Sequence, residues 1–260
     1  MRLLFIRHGD PDYDRDGLTE TGKKEAELLA EHIEEENIDV IYKSPYGRAQ
    51  ETAAFSEKKL GIEGITYDWL KEFPARVNVT GNEFLQRAYP DASGRLDAWT
   101  EPGSWIVWDI LPSEMAKDPR YFDSFEWRNS PTAHHSDLNE TYDYVMGEFD
   151  SLLASYGYER DGYYYRVTKE SRKTLAFFCH YGVTTMFLSH LWNVSPFSLF
   201  NGIVISPTGV TELVTEERRQ GTANFRAVRI GDISHLRRAG QEPSFMARFT
   251  DVYSDQTLRH

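Results

Sequence analysis

A chain of 260 residues, 40% hydrophobic and 27% charged, has the composition of an ordinary soluble protein organised around one core, with length to spare for an insertion. No apolar run approaches the roughly 20 residues that a bilayer requires, so no membrane partner is expected. The formal net charge of −12 argues against nucleic acid, whose phosphate backbone needs a basic face, and any anionic ligand must be held by a few locally placed arginines.

Leu3-Leu4-Phe5-Ile6 is a continuous apolar run, the pattern of a strand buried on both faces. Arg7 and His8 end it after too few residues for a signal peptide, which leaves the cytoplasm as the expected location. An aspartate-rich loop over 10–17 follows. Ala26, Leu29, Ala30 and Ile33 then recur at helical spacing, predicting an amphipathic helix over 19–35 with Thr19 as its N-cap. Residues 39–42 read as the next strand. Ser44-Pro45 reads as the N-cap and first residue of a helix that runs to about Leu60 and carries Arg48 in its first turn. Ile65-Thr66-Tyr67 completes a strand, helix, strand, helix, strand order. That order predicts an α/β three-layer sandwich, a mainly parallel central sheet with helices on both faces.

From 73 to 137 the pattern dissolves into a stretch holding Trp99, Trp105, Trp108 and Trp127 among Pro, Gly and Asp. It is expected to be a cap or lid inserted into a single domain spanning 1–260, with some helix over 112–125. The tryptophans either form a satellite core for the cap or wall a pocket, and Arg76, Arg95 and Arg128 could hold a second anionic group. Helical periodicity returns over 138–156. Residues 174–179 contain Leu175-Ala176-Phe177-Phe178, a second buried strand, it too followed by a histidine, His180, with a helix over 183–192 behind it. Segments 201–215 and 225–230 read as antiparallel edge strands, with a turn at Pro207-Thr208-Gly209, and such edges would permit a homodimer. The last thirty residues read as polar and irregular.

Two buried strands that each end in a histidine bring both imidazoles to the crevice beyond the carboxyl ends of a parallel sheet. Gly9 and Gly182 would let backbone and ligand approach closely, and Arg48 lies at a helix start, where anions are favoured. These segments resemble the histidine phosphatase superfamily in its phosphoglycerate-mutase-like branch. The matching pieces are Arg7-His8-Gly9, Leu18-Thr19-Glu20-Thr21-Gly22, Ser44-Pro45-Tyr46-Gly47-Arg48-Ala49, Leu70-Lys71-Glu72, His180-Tyr181-Gly182 and the stretch from Arg229 to Leu236. The resemblance implies a phosphatase that hydrolyses a small phosphomonoester without metal or other cofactor. His8 would attack phosphorus and become a phosphohistidine, while Arg7, Gly9, Arg48, His180 and Tyr181 bind the phosphoryl group. Glu72 would protonate the leaving oxygen and then serve as base for water, with Asp68 and Glu126 as alternatives. Arg7 and Arg48 should push the pKa of His8 down and keep it neutral for attack.

Two other functions stay open, a phosphoglycerate mutase and a non-catalytic phospho-ligand binder. Asp10-Pro11-Asp12-Tyr13 lacks the Trp-Asn pair of mutases, and Phe73-Pro74-Ala75-Arg76 lacks their basic, tyrosine-bearing stretch, which favours hydrolysis. Asp10 is expected to orient its loop. The single cysteine, Cys179, excludes a disulfide framework and has Thr185 where a cysteine-dependent phosphatase needs arginine, so it reads as an apolar strand residue. His134 and His135 have no ligand partner at helical spacing and read as loop residues, and His235 reads as structural.

Overall fold

The computed structural model describes residues 1–73, 75–89, 104–244 and 254, so Arg95 and Trp99 lie outside the described residues. The chain divides into two units. One comprises Met1–Glu72, Asp150–Thr184 and the chain from Val204 onward, and the other Phe73–Phe149 with Thr185–Ile203.

An eight-stranded sheet organises the first unit. Its strands are β1 (Arg2–Arg7), β2 (Val40–Lys43), β3 (Ile65–Thr66), β4 (Tyr158–Asp161), β5 (Tyr164–Val167), β6 (Thr174–Cys179), β7 (Val210–Arg219) and β8 (Thr222–Asp232). They lie in the order β3-β2-β6-β1-β7-β8-β5-β4. From β3 to β1 every pairing is parallel, and from β1 onward every pairing is antiparallel. The expected parallel sheet is therefore the half that carries the two histidines, and hairpins build the rest. The helices include α1 (Glu20–His32), α2 (Gly47–Leu60), α3 (Leu138–Ser155), α4 (Tyr181–Trp192) and the short α5 (Ser234–Arg238), besides other short helices and turns.

Alternation along β1 shows why the sheet is covered on both faces. Leu4 and Ile6 join a buried cluster with Ala176, Phe178 and Ile41 of the neighbouring strands, Leu29 of α1 and Ala53 of α2. Phe5, between them, points the other way and stacks on Phe177 at 5.1 Å. Phe177 in turn stacks on Tyr42, whose hydroxyl lies 2.8 Å from that of Tyr156 just past α3. Each fully buried side chain of this size contributes roughly 1.5–3 kcal/mol to holding the layers together.

Several local expectations need correction. Thr19 does cap α1, its hydroxyl oxygen accepting from Gly22 N–H at 3.0 Å. Ser44 does not cap α2, which begins only at Gly47, with Tyr46 in the N-cap position and making no side-chain cap bond. The Gly47 amide donates instead to Oδ2 of Asp16, 2.7 Å away and 31 residues earlier in the chain. Of the two segments taken for edge strands, β7 is interior, lying between β1 and β8, whereas β8 pairs with β5 only at Thr222 and Ala223, so its 225–230 part does lie along an edge. β8 runs longer than expected, β7 begins later and ends later than expected, and Pro207-Thr208-Gly209 precedes β7 rather than joining the pair. β3 and β4 are the outermost strands of the sheet. β4 and β5 were not anticipated, and α5 forms within the stretch read as irregular.

In the second unit Arg76–Asn78 pairs with Ser104–Ile106, and the expected helix near 112–125 is a short helix, Pro112–Met115, followed by a 3-10 turn, Pro119–Phe122. Trp127 is buried against Tyr142 and Phe197, with ring centres 5.2 and 6.4 Å away, and Tyr121 packs edge-on to Phe197 at 4.8 Å. These rings make a core of the unit's own. Arg128 stacks over Trp127 and pairs with Asp143 at 2.6 Å, while a buried Nη1 of Arg76 has no hydrogen-bond partner.

Candidate active site

Arg7, the last residue of β1, stands opposite Cys179, the last residue of β6, so the histidines that follow meet at the same sheet end. The rings of His8 and His180 have centres 5.0 Å apart, and both side chains are buried. The His8 amide donates to the Cys179 carbonyl at 3.0 Å. Its Nδ1 lies 2.7 Å from the carbonyl oxygen of Gly9. A carbonyl can only accept, so this contact places the proton on Nδ1 and leaves the lone pair on Nε2. Burial, then the charges of Arg7 and Arg48, hold the His8 pKa well below its ordinary value, and the Gly9 bond opposes them only in part. At neutral pH the imidazole is a free base.

His180 is held in the same way. Burial first, then His8, Arg48 and Arg7, push its pKa far down. Its Nε2 lies 2.8 Å from Ser44 Oγ, which already accepts the Tyr46 amide at 3.2 Å. The other ring nitrogen, Nδ1, is buried and has no partner, and a Ser44 hydroxyl that donates to Nε2 places the ring proton there. Ser44 thus belongs to the site. It lay inside the matching motif, but its neighbour Pro45 gave it the appearance of a helix cap.

Arg7 donates from Nη1 to the Ile205 carbonyl at 2.6 Å, and burial lowers its pKa against the pull of Tyr13, Glu72 and Tyr181. Tyr181, the first residue of α4, has its ring centre 6.0 Å from the guanidinium carbon of Arg7. Arg48 is buried, donates from Nη1 to Asp16 Oδ1 at 2.6 Å, and lies over the rings of Tyr46 and Tyr13 at 4.6 and 5.5 Å. The Nε atoms of both arginines are buried without a partner. Arg7 Nε, Arg48 Nε and His180 Nδ1 are thus three unpartnered buried atoms around His8: the charges of the two arginines act on it, and the His180 ring lies 5.0 Å away. Leaving a buried donor unpaired costs about 1–3 kcal/mol, an expense that an anion bound there would remove.

The backbone beneath is clamped from β7's approach. Thr208, buried and at a left-handed φ of 55°, donates its amide to the carbonyls of Arg7 and His8 at 3.0 and 3.2 Å. His235 Nε2 lies 2.8 Å from the Thr208 hydroxyl. Gly9 serves a different closeness from the one expected: a Cβ there would meet the Gly22 carbonyl oxygen at 2.6 Å, so the residue admits α1. Its amide donates to Thr52 Oγ1 at 3.0 Å.

Glu72 Oε1 accepts the amide of Val183, in the first turn of α4, at 3.2 Å, and its charge acts on Arg7 and Cys179. Asp68 is exposed and paired with Lys71 at 3.3 Å, and Glu126 lies in the second unit, where it accepts from Asn129. Asp10 takes the Thr19 hydroxyl at 2.7 Å and its amide donates to the buried Glu25, which ties the loop to α1. Burial pushes the Cys179 thiol up to about 12, so it is no nucleophile. His135 Nδ1 lies 2.9 Å from the Pro131 carbonyl, and no group of three His, Cys, Asp or Glu side chains among the described residues could hold a metal ion.

A family model, the histidine phosphatase superfamily (branch 1), matches residues 3–105, which contain His8, Arg48 and Glu72. Over these residues the chain resembles the histidine phosphatase superfamily. Phosphoserine phosphatase 1 of Hydrogenobacter thermophilus is 33% identical to it over 81 residues, 28% of this chain. The chain matches only 38–39% of the length of its curated relatives. Among solved structures, a phosphoserine phosphatase from Entamoeba histolytica in complex with 3-phosphoglyceric acid shares the fold with a TM-score of 0.55 at 17% identity, covering 90% of this chain and 98% of that one. A mycobacterial glucosyl-3-phosphoglycerate phosphatase complexed with VO3 aligns with a TM-score of 0.51 at 16% identity, over 88% and 97% of the two chains. No helix among the described residues is long and apolar enough to cross a membrane.

Proposed function

We propose that this chain is a histidine phosphatase that hydrolyses a small phosphomonoester through a phosphohistidine on His8. One observation carries the proposal: His8 Nδ1 is tied to the Gly9 carbonyl, which presents Nε2 as a neutral nucleophile beside buried, unpartnered donors. Nε2 attacks phosphorus while the ester oxygen departs with a proton from Glu72. Arg7 and Arg48 neutralise the phosphoryl oxygens through charge-assisted hydrogen bonds, and His180 Nδ1 adds a third donor as charge spreads over them. Water then attacks the phosphohistidine, gives its proton to Glu72, and releases inorganic phosphate with His8 neutral again. A positioned acid of this kind is worth roughly a hundred- to ten-thousand-fold in rate. With two arginines doing the neutralising, the chemistry calls for no metal.

The names of the relatives support small phosphorylated acids as the first substrates to try. The insertion beginning at Phe73 is our proposed cap, and the cytoplasm, where a single buried thiol stays reduced, our proposed compartment. The test is a panel of phosphate esters in chelator-treated buffer, including phosphoserine, phosphoglycerates and an aryl phosphate. Phosphate release that His8→Ala abolishes is expected. No turnover across the panel would count against the proposal, and interconversion of phosphoglycerates without phosphate release would make the protein a mutase.

A further inference from the structure

Arg48 is shared before any phosphate arrives. Its Nη1 donates to Asp16 Oδ1 at 2.6 Å, while its Nε is buried without a partner. The other oxygen of Asp16 accepts the Gly47 amide at 2.7 Å, so one carboxylate holds both the first amide of α2 and one arm of the arginine. Asp16 is in the left-handed region, φ 49°, in the loop between the short strands Pro11–Asp12 and Gly17–Leu18. The fit is close, since a Cβ on Gly47 would stand 1.8 Å from the Asp16 carbonyl oxygen. The loop has its own ties: Arg15 bridges Asp12 and the Leu18 carbonyl, and the Leu18 amide donates to Glu51 at 2.8 Å.

Arg48 does not depend on Asp16 for its place. It is buried and packed against the rings of Tyr46 and Tyr13, whereas the Asp16 side chain is 43% exposed. Asp16 therefore contributes chiefly a negative charge, fixed against an arginine that faces a phosphoryl site. We propose that Asp16 acts through Arg48 to weaken the hold of the site on phosphate anions, which hastens release of inorganic phosphate after hydrolysis. This rests on reading the His8 site as a phosphoryl pocket. A dianion drawn to Arg48 is repelled by the carboxylate on the arginine's other arm, and the net affinity is the difference.

The substitution Asp16→Asn keeps an oxygen for the Gly47 amide but turns an amide N–H towards Arg48, donor against donor, and so ends the pair. Asp16→Ser removes the charge in a second way, and Asp16→Glu keeps it. Binding of inorganic phosphate to the full chain is measured by titration calorimetry at low ionic strength, with KM for the best ester alongside. Asp16→Asn and Asp16→Ser are expected to bind phosphate about fivefold tighter and to show a lower KM, the effect of an exposed ion pair. Asp16→Glu should show no gain, and added salt should narrow the difference. A role limited to holding the loop predicts loss or no change, so equal or weaker binding in the uncharged variants overturns the proposal. Wild-type protein that neither binds phosphate nor turns over any ester would remove the pocket itself, and the proposal with it.

Discussion

Lowering the pH from 7.5 to 5 should weaken this protein through His235 by an amount that one substitution can isolate. His235 is buried, with Nε2 at 2.8 Å from the Thr208 hydroxyl, and that hydroxyl itself donates to the Pro207 carbonyl at 2.7 Å. The ring nitrogen facing Thr208 is therefore an N–H donor on a neutral imidazole. Burial first, with His32 and Arg229 assisting and Asp232 opposing, brings the His235 pKa down to about 4. In the unfolded chain it returns to about 6.5. Between those values the unfolded state binds the extra proton, so stability is full above pH 6.5 and falls as the pH drops towards 4. At pH 5 the loss is one and a half pH units at about 1.4 kcal/mol each, or about 2 kcal/mol. His235→Gln keeps a donor for Thr208 but does not titrate. His8 and His180 shift in the same direction, yet they are common to both proteins and cancel in the difference. Urea denaturation at the two pH values should show the wild type losing about 2 kcal/mol more than His235→Gln. Equal losses would refute the reasoning.

Other expectations follow from the same contacts. Leu4→Ala, which opens the cluster between β1 and α1, should cost about 2–5 kcal/mol in urea denaturation. Ser44→Ala, which strips His180 of its partner, should lower kcat about ten- to a hundredfold with the fold intact by circular dichroism; an unchanged kcat would remove Ser44 from the site. Cys179, buried and with its thiol pushed up to about 12, should resist alkylation in the native protein at pH 8 and react fully in urea, as mass spectrometry would show.

Much of the site was legible because two signals coincide in the chain. Leu3 to Ile6 and Leu175 to Phe178 are apolar without alternation, as strands buried on both faces must be, and each run is followed two residues later by a histidine. Their adjacency in a parallel sheet then needs only ordinary topology. What failed to show was set by contacts distant in sequence. Nothing local marks Asp16 as the group that meets the first amide of α2, so the helix start was assigned to Ser44, and Ser44's bond to His180 across 136 residues was missed. Pro207-Thr208-Gly209 has the composition of a hairpin turn, but Thr208 takes its left-handed conformation to clamp Arg7 and His8. β4 and β5 escaped notice because charged residues and tyrosines fill them, with Tyr158 and Tyr165 buried and most of the others partly or fully exposed. Their place is decided by the pairing of β5 with β8 and of β4 with β5.

The most direct test of the account is to trap the phosphoenzyme. Rapid mixing with an aryl phosphate, alkaline quench and mass spectrometry should find phosphate on the peptide containing His8. Phosphorus NMR should assign it to Nε2, because Nδ1 donates to the Gly9 carbonyl. Turnover with no label on His8, or a label that survives His8→Ala, would contradict the central claim.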